Sequence, residues 1–387
     1  MKKKRLGILT YHHVINDGAL LQAYCLSQRL KKHFPDYAVE IIDYRPLSIE
    51  IRDFLIAFHP FQDFRALFEK ARRYRNLRCF MKNRLPLSQK RKVTDHYSSG
   101  IHFLKNNYDA VVVGSDEVWK IEKGHFVRTF PNPYWLSKDL SCKKIAYAAS
   151  AHKLAAQDLK PEQTAWIKDQ IRHFDLIGVR DRHTRQFIEG LGLPHSEPLW
   201  KLPDPAFGSE IPEQPVREKA KRLGVDFTKP LLAITFNEKR IKKDFFSYFK
   251  KQGYQMIALT AFNPYADVQL AGKLNPFEWA SLFQHLKLCL THLYHGTILS
   301  LKNGVPVLGF DYSNDLRYES KMRDLFGDFD LLDFHIPAQP ENFETGFLIQ
   351  KIQNALAQHH PAAITKKIAA MNQETESFLD RMRQHLP

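Results

Sequence analysis

The chain has 387 residues, with 57 Lys and Arg against 42 Asp and Glu, and so a formal charge of +15 at pH 7. Hydrophobic residues at 44% and charged residues at 26% are globular values, and the length suits two domains, each with its own core. A single small module is excluded, and so is a disulfide scaffold: Cys25, Cys79, Cys142 and Cys289 show no C-x-x-C spacing and read as reduced, mostly buried thiols.

The basic start at Met1–Arg5 is followed by an apolar run that stops at Leu9, short of the ~7–15 residues of a secretory core. No uncharged apolar stretch reaches the ~18–20 residues of a membrane span. The expectation is a soluble, cytoplasmic protein, with docking at the inner face of a membrane left open.

Leu6–Leu9 reads as a first strand, Ala19, Leu20, Ala23, Leu26 and Leu30 recur at helical spacing, and Val39–Asp43 reads as a second strand. Strand, helix and strand within about forty residues form a βαβ unit and imply a parallel sheet. Asp109–Gly114, Lys144–Ala149 and Asp175–Val179 continue the pattern, with helices over about 161–172 and 181–191. It restarts at Leu231–Phe236, Tyr254–Leu259, Leu288–Leu290 and Val305–Phe310. Between the two blocks, Pro194 to Pro230 is rich in Pro, Lys and Glu and reads as the connection. Ala362 to His385 is one amphipathic helix. These elements predict an N-terminal α/β domain over 1–205, with a basic helical insertion at about 50–95. A C-terminal α/β domain over 206–360 and a closing helix over 361–387 follow. The two Rossmann-like domains are expected to face a cleft, with ligands at the carboxyl ends of the strands.

The charge is concentrated. Arg65 to Lys92 holds eleven Lys and Arg against Glu69 alone, +10 of the +15, with Phe68, Tyr74, Leu77, Phe80 and Met81 interleaved. That composition reads as a basic amphipathic helix, suited to an anionic membrane or partner or simply solvated above the sheet. No helix-turn-helix, zinc or RNP signature accompanies it, so a nucleic-acid partner is not expected.

Neither G-x-x-x-x-G-K-[ST] nor a post-strand G-x-G-x-x-G occurs, so P-loop and dinucleotide chemistry find no support. The pairs His12-His13 and His359-His360 are poorly placed to share an ion, and His292 with His295 lacks a carboxylate or thiolate partner, so no metal is expected. Three polar loops follow strands: Thr10–Ala19, Gly114–Trp119 and Thr291–Thr297. Each could be capping and turn chemistry alone. Together they point to a ligand site, and the first, ahead of a helix, suits an anion.

Several stretches, in order, resemble the polysaccharide pyruvyl transferase family: Gly7–Tyr11, Asn16–Tyr24, Tyr108–Trp119, Lys144–Ser150, Gly178–Asp181, Asp204-Pro205 and Tyr294–Thr297. The match spans about residues 6 to 326. It departs at His292, where members often carry an acidic residue. The resemblance implies a GT-B-like fold and transfer of pyruvate from phosphoenolpyruvate to sugar hydroxyls as a ketal, with release of phosphate. The acceptor would be a cell-surface polysaccharide or its lipid-linked precursor. No cofactor is expected beyond phosphoenolpyruvate as the donor.

Phosphoenolpyruvate carries phosphate and carboxylate, which Arg grips with two parallel bonds. By the resemblance Arg180 is the substrate-binding arginine, with Lys321 a second cation. Enol-ether chemistry needs a general acid near neutral pH, and His295 resembles the family's catalytic histidine. Asp116 is a candidate to orient the acceptor hydroxyl or take its proton. Asn16, Gly18, Ser115, Gly296 and Thr297 are further substrate-binding candidates, Gly296 as the place where substrate approaches the backbone. Two alternatives stand beside this reading: a glycosyltransferase of the same fold using a nucleotide sugar, and a non-catalytic module binding a polyanion or membrane through residues 65–92.

Overall fold

The computed structural model describes residues 3–58, 64–121, 130–194, 197–236, 238–313 and 318–387, without the side chains of 64–66, so Arg65 lies outside the described side chains. The chain divides into two units: residues 1–62, 77–209 and 370–387 form the first, and 63–76 with 210–369 the second.

The elements to Lys201 run β1 (Lys4–Leu9), α1 (Asp17–His33), β2 (Tyr37–Arg45), α2 (Leu47–Phe58), α3 (Phe64–Arg84), β3 (Leu87–Val93), α4 (Tyr97–Leu104), β4 (Ala110–Asp116), β5 (Lys143–Ala149), α5 (Pro161–Ile171), β6 (Leu176–Val179), α6 (Arg182–Gly190) and β7 (Trp200–Lys201). The first unit is a parallel sheet of seven strands in the order β3-β2-β1-β4-β5-β6-β7. Its central strands are buried on both faces: Leu6, Ile8 and Val111 to Val113 are fully inaccessible. Continuous apolar runs are what a sheet covered by helices on both sides requires.

From Val216 the elements run α7 (Val216–Arg222), β8 (Leu231–Ile234), α8 (Lys243–Lys251), β9 (Gln255–Ala258), β10 (Val268–Gln269), α9 (Pro276–Leu282), β11 (Leu288–Thr291), α10 (Tyr294–Lys302), β12 (Val307–Asp311), α11 (Lys321–Asp328), β13 (His335–Pro337), α12 (Thr345–Ala357) and α13 (Pro361–His385). The second unit is a parallel sheet of six strands, β10-β9-β8-β11-β12-β13. Cys289, inside β11, is a buried thiol whose pKa burial pushes up to about 12, so it is inert filling.

Three expectations change. The basic stretch is not one helix: α3 ends at Arg84, and Lys90, Arg91 and Lys92 lie on β3, the edge strand. The first half of α3 belongs to the second unit because its side chains bond carbonyls there. Asn76 Nδ2 donates to Gly272 O at 2.9 Å, and Arg73 to Thr260 O at 3.3 Å. The connecting stretch also contributes to the first unit, where β7 joins the sheet edge and Ala206 and Phe207 are buried.

The end of α13 is a core element of the first unit. Phe378, Leu379 and Met382 are fully buried, and Phe378 meets the rings of Tyr147 and Trp200 edge-on at 5.8 Å each. Arg381 grips Glu197 through two nitrogens, one of them at 2.9 Å, and Arg29 reaches Asn372 at 3.2 Å and Glu376 at 2.7 Å.

Candidate active site

In the first unit the candidate residues lie where β1, β4 and β6 end. Several predicted residues there make structural bonds. Asn16 is the N-cap of α1, its Oδ1 accepting from Gly18 N at 2.9 Å and Ala19 N at 3.3 Å, so Gly18 is part of the capped first turn. Ser115 is fully buried: its hydroxyl donates to Gln22 Oε1 at 2.5 Å and its carbonyl accepts from Thr10 Oγ1 at 2.8 Å. Gln22 closes the triangle by donating to Thr10 Oγ1 at 3.0 Å. These bonds lock the β1 and β4 ends to α1.

Past that lock the chain turns sharply. Gly114 has φ +116°, and a Cβ there would overlap Tyr147 O, so only glycine fits. Asp116 itself takes φ +98°, a conformation costly for any residue with a Cβ, which places its carboxylate at the sheet edge. Its Oδ1 accepts from Glu117 N at 2.8 Å and lies 3.8 Å from Arg180 NH2. Arg180 follows β6 with a fully buried side chain, and NH1 stands 3.4 Å from buried Asp204. Both distances exceed the ~2.7–2.9 Å of a tight charge-assisted bond.

Residue-type reasoning missed His13. It is 1% exposed, and neither ring nitrogen has a hydrogen-bond partner among the described residues. Burial above all, and then the positive charges of His12, Arg45 and Arg78, hold its pKa well below the ordinary histidine value, against the opposing pull of Asp43. Its neighbour His12 is engaged, lying 3.1 Å from Thr10 O and 3.0 Å from Asp43 Oδ1. Asp43 also accepts from Arg45 Nε at 2.6 Å and Arg91 Nε at 3.0 Å; burial would raise its pKa, and the bonds from His12 and Arg45 outweigh that and hold it well below the carboxylate range. Beside this network, Tyr11 and Tyr134 stack tilted at 4.8 Å, and the buried Tyr134 hydroxyl has its pKa raised by burial and then by Tyr11, Tyr44 and Asp116.

A buried nitrogen with no partner among the described residues costs the fold about 1–3 kcal/mol. His13→Phe is therefore expected to raise the melting temperature. Because the folded-state pKa of His13 lies below the unfolded one, the unfolded chain binds more protons, and stability falls as pH drops below about 6.5. In His13→Phe that slope flattens, and melting curves between pH 5 and 7.5 read it directly. A parallel slope in both proteins would show that His13 does not carry it.

In the second unit the candidate residues lie at the ends of β8, β11 and β12. Thr235 Oγ1 meets Thr291 Oγ1 at 3.0 Å and His292 Nδ1 at 3.2 Å, and Thr291 Oγ1 accepts from Leu293 N at 3.0 Å. His292, the departure noted above, has its pKa lowered by burial and then by Arg73. His295 sits in the first turn of α10 with 9% exposure. A Cβ on Gly296 would overlap Thr291 Oγ1, so this glycine lets α10 approach β11. Thr297 is buried, its hydroxyl 3.4 Å from Leu293 O. Lys321 opens α11 behind the Ser320 cap and holds its ammonium 5.1 Å above the ring of Tyr294, the residue before His295.

Behind these groups, Asp311 accepts from His335 Nε2 at 2.8 Å and from Ser320 Oγ. Arg240 holds Glu238 down to about 2 through its side-chain bonds. Among the described residues no group of three or more His, Cys, Asp or Glu could hold a metal ion, and no helix is long and apolar enough to cross a membrane.

No curated protein matches the chain. Among solved structures, a UDP-GlcNAc 2-epimerase from Methanocaldococcus jannaschii aligns with TM-score 0.51 at 10% identity, over 92% of this chain and 94% of that one. A further UDP-N-acetylglucosamine 2-epimerase aligns with TM-score 0.52 at 12% identity, over 99% and 97%. At such identity the likeness concerns fold alone, and it agrees with two Rossmann-like units of GT-B type. The polysaccharide pyruvyl transferase family model matches residues 16–314, most of the chain, with β2 to β12 inside the match. The chain therefore belongs to the polysaccharide pyruvyl transferase family.

Proposed function

We propose that the protein transfers pyruvate from phosphoenolpyruvate to two hydroxyls of one sugar, in a cell-surface polysaccharide or its lipid-linked precursor. A proton adds to the methylene carbon, one hydroxyl oxygen bonds to the adjacent carbon, the bond to phosphate breaks, and the second hydroxyl closes the ketal. One hydroxyl proton is balanced by the new methyl group and the other leaves with phosphate.

The observation that carries this reading is the placing of His295 and Lys321 at the carboxyl ends of neighbouring strands, joined through Tyr294. An imidazole can give the proton, and a lysine ammonium suits phosphate as a point charge. Arg180 is proposed to grip carboxylate or phosphate, and Asp116, partly buried at the end of β4, to orient the acceptor hydroxyl. The carrying experiment is phosphate release from phosphoenolpyruvate with a diol-bearing sugar acceptor. Thermal stabilisation by nucleotide sugars, with none by phosphoenolpyruvate, would overturn it in favour of glycosyl transfer.

A further inference from the structure

Helix α2 is built inside out. A surface helix normally turns its apolar stripe to the core. Here the buried positions are Ile49, Asp53 and Ala57, while Leu47, Ile51, Phe54 and Leu55 are 45%, 51%, 51% and 55% exposed. With Phe58, at 39%, they fall within an arc of about 100° at 100° per residue, while Ile56, 55% exposed, lies on the far side of the helix outside this stripe. An apolar stripe of this kind on an otherwise charged surface marks a contact site.

The inward face is held by polar bonds. Asp53 Oδ2 accepts from Ile15 N at 3.1 Å, which ties α2 to the loop after β1. Glu50 takes a fork from Arg78 of α3, 2.9 Å on each arm. At the start of α2, Ser48 N and Oγ both bond Asp95 at 2.9 Å, directly after β3. The stripe is thereby flanked by cations: Lys82, one turn beyond Arg78, is exposed, as is Lys90 on β3, with Lys92 half-buried beside it. A charged edge strand also discourages pairing with other chains, which accounts for β3 but not for the apolar face of α2.

From this juxtaposition we propose that α2 lies in the headgroup region of an anionic lipid surface, its stripe inserted and Lys82, Lys90 and Lys92 on the headgroups. An apolar face ringed by cations complements negative headgroups above acyl chains. It complements a second copy of this +15 chain poorly. The bond from Ile15 to Asp53 would then hold the loop carrying His13 close to the surface where a lipid-linked acceptor resides. In that purpose the inference rests on the proposed function, although the binding itself requires no turnover.

The test is co-sedimentation of the full chain with vesicles of phosphatidylglycerol and phosphatidylethanolamine, against vesicles of phosphatidylcholine. Binding is expected to the anionic vesicles only and to weaken with salt. Lys82→Gln/Lys90→Gln/Lys92→Gln is expected to weaken it roughly 100-fold, about five-fold for each cation near the surface. Leu47→Ser/Ile51→Ser/Leu55→Ser should abolish it with an unchanged melting temperature, because these side chains face water in the free protein. Equal binding to both vesicle types, no binding, or a serine variant that binds as well as the parent overturns the proposal. So does a dimer in light scattering that the serine variant dissociates. Phosphate release with a water-soluble acceptor separates the two readings: its absence with vesicle binding intact would sink pyruvyl transfer and leave this surface standing. The converse would sink the surface alone.

Discussion

Replacing His295 with Gln is expected to lower the rate of phosphate release from phosphoenolpyruvate by about 10²–10⁴-fold, the usual worth of a positioned general acid. Glutamine keeps a hydrogen-bonding group in the first turn of α10 but cannot deliver a proton. The step that suffers is therefore protonation of the methylene carbon, and kcat should fall with a much smaller change in KM for phosphoenolpyruvate. His295 is 9% exposed, so a melting curve must accompany the assay. A well-folded His295→Gln enzyme that keeps more than about a tenth of the parent kcat would remove this residue from the chemistry.

The second large effect is at Arg180. Its side chain and that of Asp204 are fully buried, 3.4 Å apart, and Asp116 stands 3.8 Å away on the other arm. Arg180→Ala leaves a carboxylate buried beside a void, which costs about 3–5 kcal/mol and is expected to show as a large fall in melting temperature. That result alone says only that the arginine is structural. Arg180→Lys separates the roles, because lysine keeps the charge but loses the planar fork that matches carboxylate or phosphate. A substrate-binding arginine predicts a rise in KM for phosphoenolpyruvate of about 10–100-fold in the lysine variant, the worth of a hydrogen bond to a charged group. An unchanged KM would return Arg180 to the scaffold.

What could be read in the sequence follows from how each element is buried. Strands covered on both faces announce themselves as short apolar runs, and Val111 to Val113, Leu231 to Ile234 and Leu288 to Leu290 all lie in strands. Edge strand β3, with the sequence LSQKRKV, carries no such signal because it pairs with one neighbour only, and its lysines look like a continuation of the preceding helix. The split of α3 between units was equally hidden, since it depends on backbone carbonyls at Thr260 and Gly272.

The site shows a sharper limit. Polar residues at strand ends serve ligands and backbones with the same chemistry. Asn16, Ser115 and Gly296 stand where a ligand was expected and are used by a cap, a glutamine and a threonine. Histidine raises the opposite difficulty. Nothing in the spelling of the loop Thr10–Ala19 separates His12, held by Asp43, from His13, whose nitrogens are buried with no partner among the described residues. That distinction belongs to side-chain packing.

The return of α13 to the first unit has a consequence for synthesis. The N-terminal sheet can form its strand pairs early, but its β5 to β7 face stays uncovered until residues 370–387 supply Phe378, Leu379 and Met382. During translation the second unit's sheet, between residues 231 and 337, leaves the ribosome before the first unit has its full core. A nascent chain halted before Ala370 therefore exposes the apolar surface of a nearly finished domain, which is what chaperones and proteases recognise.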